Sequence, residues 1–150
     1  MDVLEIIRAD HRLVESLFSQ IEQTNDNYKL YECFNQLYEA LNVYAEVKEQ
    51  VFYPAIRNCQ GTNELLDNAQ KEHEEARQIL EELGSLSPTK DEFKQKIATL
   101  KQVIQHHVQQ EENEVFSKVR ACMNEEERSQ IGSKFATVKS KLQSEISVPS

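Results

Sequence analysis

The sequence predicts an all-α protein: an up-down-up-down four-helix bundle with an additional C-terminal helix. Three observations carry that expectation. Only three Gly and three Pro occur in 150 residues, and Leu, Glu, Gln, Lys and Ala, the residues of long helices, dominate. Runs of alternating β-branched residues are missing. Caps and breakers divide the chain into four segments of twenty or more residues with short connections, for which antiparallel neighbours are the simplest topology.

The first helix starts at Asp2, with Glu5 completing a capping box, and runs to about Thr24 before "NDN". The second extends from about Lys29 to Pro54 or slightly beyond, and "NCQGT" ends it. Thr62 is placed to cap a third helix that stops at Gly84. Ser87 and Pro88 read as the cap and first position of a fourth helix reaching Cys122. "NEEE" is a capping box for a fifth helix over 125–144, and the tail "SVPS" is expected to fray. Residues 1–122 are read as the bundle, and 123–150 as a helix and tail packed on the same domain. No internal repeat or low-complexity linker is evident.

Charge and composition exclude several classes of partner. A formal net charge of −9 argues against nucleic acid and anionic membranes, which call for basic patches. No apolar run approaches a membrane span, and "MDVLEIIRAD" lacks the regions of a signal peptide. Three widely spaced cysteines without CxxC read as buried free thiols, so the expected location is cytoplasmic.

Helical periodicity then selects what the bundle points inward. The fourth-helix stripe is Phe93, Ile97, Leu100, Val103, Ile104, Val108 and Val115, and His107 and Glu111 fall inside it one turn apart. His106 lies outside the stripe, and Glu112 is at its edge. His73 falls among Leu66, Ala69, Ala76 and Leu80. His11 lies at the edge of the stripe of Leu4, Ile7, Val14 and Phe18. A lone inward histidine is more often a hydrogen-bonded core residue than a ligand. Three helices each aiming a histidine inward, one beside a carboxylate, form the donor pattern of a bundle-core metal site.

"RADHRLVESLF", "EVKEQVFYPAI", "KEHEEARQILEEL" and "HHVQQEENEVFSKVR" resemble the four successive helices of the hemerythrin-like (HHE cation-binding) family, over residues 1 to about 120. The resemblance implies a four-helix bundle with a non-haem di-iron centre. It places His11, His73, His107 and Glu111 at ligand positions, with Glu112 as the alternative carboxylate. It also marks a departure. The family's His-x-x-x-Glu ahead of "FYP" falls at Tyr44 and Lys48, which removes a histidine and a bridging carboxylate. Arg77 stands where a second third-helix histidine is often found.

An ammonium in place of a bridging carboxylate opposes two closely spaced irons. Three states follow. One iron could sit on His73, His107 and Glu111, with Tyr44 as a phenolate. Lys48 could instead pair with Glu111 and hydrogen-bond Tyr44 without metal, or snorkel outward and leave a weakened site. One ion, or none, is expected rather than two. The functional expectation is a degenerate iron-binding protein, more a sensor or stress protein for a diatomic or peroxide ligand than an enzyme. The alternative is a metal-free bundle with a Lys48–Glu111 pair that docks a protein partner or a second copy through its acidic faces or fifth helix.

Overall fold

The computed structural model describes residues 1–146, among which helices are the only regular secondary structure; the expected frayed tail lies outside the described residues. Helix α1 (Val3–Gln23) is capped by the Asp2 carboxylate, which accepts from the Leu4 N–H at 2.8 Å. Glu5 does not close a reciprocal box; its backbone N–H bonds the Asp2 carbonyl. Helix α2 (Asn27–Val47) begins two residues earlier than its pattern suggested, because Asp26 caps it through the Tyr28 N–H. It passes without a break into a π-helical turn (Lys48–Phe52) and a last α-turn (Tyr53–Ile56).

Helix α3 (Asn63–Gly84) follows a tight turn in which Gly61 takes φ +82°, a conformation costly for any residue with a Cβ. Thr62 does not cap α3 through its side chain. Its hydroxyl donates backward to the Ile56 and Cys59 carbonyls and fastens the end of α2. Helix α4 (Asp91–Gln110) starts later than expected. Ser87–Lys90 closes as a turn, with the Lys90 N–H on the Ser87 carbonyl, so Ser87 and Pro88 lie outside the helix. α4 also continues through a π-turn (Glu111–Val115) into Phe116–Cys122. Helix α5 (Glu125–Ile146) opens on a true capping box: Glu127 N–H bonds Asn124 Oδ1, and Asn124 N–H bonds Glu127 Oε1.

Helices α1 and α2 pack together, as do α3 and α4, and α5 lies against α1, α2 and the first π-turn. Phe18, Phe52, Phe93, Phe116 and Phe135 are fully buried in the common core. Within the predicted α4 stripe, Val103 and Ile104 are only half-buried. On α5, Phe135 is completely enclosed, and Ile131, Val138 and Leu142 pack beside it. Gly132 lets α5 approach the N-terminus; a Cβ there would come within 2.0 Å of the Met1 carbonyl oxygen.

The cysteine expectation is overturned. Cys59, in the turn after α2, and Cys122, the last residue of α4's extension, are joined by a disulfide with Cα atoms 5.6 Å apart. Of the three, Cys33 is free. Sequence distance hid the pair; parallel ends of α2 and α4 bring it together. No helix among the described residues is long and apolar enough to cross a membrane.

Candidate metal centre

Lys48 and Glu111, the first residues of the two π-turns, meet at the centre of the bundle. Lys48 Nζ donates to Glu111 Oε1 at 2.6 Å, with the two residues 4% and 1% exposed. Nζ also lies 3.0 Å from His11 Nε2, and that nitrogen is 3.1 Å from the same carboxylate oxygen. An imidazole nitrogen and a carboxylate oxygen thus converge on one cationic atom. Lys48 neither snorkels outward nor joins Tyr44; among the described residues no hydrogen bond links the two.

The phenol at the centre is Tyr53, which the sequence reading missed. Its hydroxyl donates to Glu111 Oε2 at 2.7 Å and lies 3.4 Å from His73 Nε2. Tyr53 is five residues beyond Lys48, so ordinary helical rotation turns it away. The π-turn, in which Tyr53 N–H bonds the Lys48 carbonyl, returns it to the same face. His107 Nε2 approaches Glu111 Oε2 to 3.4 Å and is buried without a hydrogen-bond partner. Glu111 therefore divides the centre. Oε1 faces Lys48 and His11, whereas Oε2 faces Tyr53 and His107, with His73 beyond the phenol.

Each inward histidine is oriented by a carboxylate at its outer nitrogen. His11 Nδ1 meets Glu112 at 2.6 Å, His73 Nδ1 meets Glu49 at 2.7 Å, and His107 Nδ1 meets Glu72 at 3.1 Å. Such partners hold the proton on Nδ1 and direct the Nε2 lone pair inward, the arrangement of metal-ligating histidines. Glu112 faces His11 and the Arg12 guanidinium, not the centre, so Glu111 is the inward carboxylate of the two. Arg77 holds Glu49 through two hydrogen bonds of 3.1 Å. Exposed His106 shares Glu72 with His107. Glu49 and Glu72 were also missed, because each lies outside its helix's apolar stripe and reaches across to a neighbouring helix.

These pairs expose a repeat that the sequence alone did not show. Asp10–His11 corresponds to Glu72–His73, Tyr44 to His107, Lys48–Glu49 to Glu111–Glu112, and Cys59 to Cys122. Glu112 of the second half orients His11 of the first, and Glu49 of the first orients His73 of the second. Glu72 orients His107, so Asp10 is the counterpart carboxylate for position 44, where Tyr replaces His. Asp10 is 3% exposed and its Oδ2 has no hydrogen-bond partner. Lys139 of α5 fills the gap, meeting Asp10 Oδ1 at 2.5 Å and lying 5.0 Å from the centre of the Tyr44 ring.

The electrostatics follow this geometry. Burial alone would raise the Glu111 pKa, but Lys48 and His107 hold it well below the usual carboxylate value. Burial lowers His73 to about 4 and keeps it neutral. Burial also opposes charge on His107, yet the Glu111 and Glu72 carboxylates together raise its pKa. Tyr53 is driven well above its ordinary value by burial and by Glu111, so it remains a donor. Tyr44 is pushed up to about 12 by burial, with Asp10 and Glu39 contributing.

Three buried imidazoles and a carboxylate thus line the core of a helical bundle, with Glu111 between them. Residues 2–119 match the family model described as hemerythrin HHE cation-binding domain, and the chain belongs to that family. The fold is shared with a hemerythrin HHE cation-binding domain-containing protein of Mycobacterium kansasii. That comparison has a TM-score of 0.84 at 18% identity and covers 97% of this chain and 89% of the other. A DNA nickase of Nostoc sp. (strain PCC 7120 / SAG 25.82 / UTEX 2576) is 36% identical over 146 residues, 95% of this chain. The chain spans 40% of that relative's length.

Proposed function

We propose that this protein is a non-haem iron-binding HHE domain with a one-metal site, in which Lys48 is a permanent cation in the other half. The observation that carries the reading is the division of Glu111. Oε1 and His11 Nε2 are taken by the ammonium, while buried His107 Nε2 on the other side has no hydrogen-bond partner. His73, His107 and Glu111 would hold the ion, and their nitrogen and oxygen donors suit ferrous or ferric iron. Bound iron would supply a one-electron couple and an open position for a diatomic or peroxide ligand. Beside it is a cavity of about 40 Å³, bordered by His11, Tyr44, Lys48, His73 and His107, with room for a molecule near the size of water. Sensing or stress handling fits such a site better than reversible oxygen carriage by two irons.

The second reading, a metal-free interaction bundle, is favoured by a specific observation. Among the described residues, no three His, Cys, Asp or Glu side chains are grouped so as to hold a metal ion, and Lys48 and Tyr53 already satisfy both Glu111 oxygens. Iron content after expression in iron-supplemented medium separates the two readings. Near one equivalent supports the first, and less than about a tenth supports the second. A ferric–phenolate band, if present, should vanish in Tyr53→Phe and persist in Tyr44→Phe. Tyr44→His with Lys48→Glu should raise uptake toward two equivalents, because Asp10 stands ready to orient the new imidazole.

Nicking of DNA belongs to the name of a relative of which this chain spans two-fifths. A formal charge of −9 works against DNA contact by this chain.

A further inference from the structure

The Lys48–Glu111 ion pair and the Cys59–Cys122 disulfide join the same two helical segments. In each, the partners are 63 residues apart in sequence. They form two rungs between the extensions of α2 and α4, with both π-turns beginning at the first rung and both extensions ending near the second. Cys59 is 4% exposed, whereas Cys122 is solvent-exposed beside a surface groove that includes Lys118 and Ser117. Cys122 is thus the partner on the solvent side of the bridge, and Cys59 the enclosed one. From this geometry we infer that Cys59–Cys122 is a reversible thiol–disulfide switch that sets how tightly the two π-turns close over the central site.

The exchange is a two-electron step. A thiolate of a small dithiol attacks Cys122 Sγ and forms a mixed disulfide, and the Cys59–Cys122 bond breaks with its electron pair leaving on Cys59. Cys59 takes a proton. The second thiol of the reductant then displaces Cys122, which takes another, and the reductant departs as its own disulfide. Peroxide reverses the change: two protein thiols and one hydrogen peroxide give the bridge and two waters. The oxidised state fixes the second rung covalently, so the segments can part only at the first, where Lys48 and Tyr53 both hold Glu111. The reduced state leaves the two extensions joined by packing and by the Lys48 and Tyr53 contacts to Glu111, with no covalent tie.

The test uses the full chain, and its main readout does not depend on whether iron binds. Thiol titration of aerobically purified protein should find one reactive thiol after unfolding, and three after treatment with dithiothreitol. Hydrogen exchange should then show the amides of 48–53 and 111–116 opening at least tenfold faster in the reduced protein, with the α1 and α3 amides unchanged. Cys122→Ser, at an exposed position and expected to fold, should show the fast exchange with or without dithiothreitol. Three free thiols in the peroxide-treated protein would overturn the proposal, as would equal π-turn exchange in the two redox states. Loss of iron binding with the exchange difference intact would count against the one-metal reading and leave the switch standing.

Discussion

At the scale of single residues, Lys48 is the most consequential side chain. It is buried, positively charged and held by one carboxylate and one imidazole, so its removal leaves Glu111 uncompensated. Breaking one side of such a pair typically costs about 3–5 kcal/mol. Lys48→Met should therefore lower the melting temperature of metal-free protein steeply, and a divalent cation should restore part of the loss. An unchanged melting temperature would mean that the pair contributes nothing. The histidines give a pH prediction. His73 has its folded pKa lowered to about 4 from 6.5. Its contribution is therefore complete above 6.5 and is lost as pH falls from 6.5 toward 4, by about 3 kcal/mol in all. Glu111, also lowered, adds a loss below the ordinary carboxylate value. His107 is raised, so its contribution is complete below 6.5 and declines as pH rises above it. Metal-free protein should thus be most stable near neutral pH, and His73→Gln should flatten the acid limb of a plot of denaturant midpoint against pH.

At the scale of elements, the two π-turns explain what could and could not be read in advance. A 100° wheel turns His73, His107 and Glu111 inward, as found, because His73 lies in a regular helix, His107 precedes the second π-turn and Glu111 opens it. The same wheel misses Tyr53, because the extra residue in the first turn changes the register beyond Lys48. It also cannot show which acidic residue on one helix reaches an imidazole on another. Caps were legible where a side chain meets its own helix, as at Asp2 and Asn124, and failed where Thr62 turns back to the preceding one. Helix α5 is more than a cover, because its Lys139 balances Asp10. Lys139→Met should cost about 2 kcal/mol, less than a fully enclosed pair because Lys139 retains some solvent contact. Adding Asp10→Asn should recover most of that loss. A double-mutant cycle in urea measures the coupling, and additive losses would show that the pair is not coupled.

At the scale of the whole molecule, the order of the four segments gave the fold and the family. Their resemblance to that family also marked Lys48 as standing where a carboxylate is expected. The disulfide was not legible, because nothing local marks two cysteines at the ends of different helices. The approximate duplication escaped notice because its halves share few residues beyond His11 and His73, Glu49 and Glu112, and Cys59 and Cys122, and differ at equivalent central positions: Lys for Glu, Tyr for His, Asp for Glu. The acidic exterior leads to one further expectation. The purified chain should leave supercoiled plasmid intact in magnesium or manganese buffers at physiological salt; nicking that follows the protein through purification would contradict the charge argument.

Lys48 also changes the terms on which this half of the site meets its surroundings. A free ion must be captured from solution, and its occupancy rises and falls with supply. The ammonium is carried by the polypeptide, so its local concentration is set by a four-carbon tether and is the same in scarcity and in excess. It needs no loading and cannot be removed by a chelator, and any ion competing for His11 and Oε1 must displace an occupant that never leaves the molecule. Folding of that half is thereby uncoupled from metal supply.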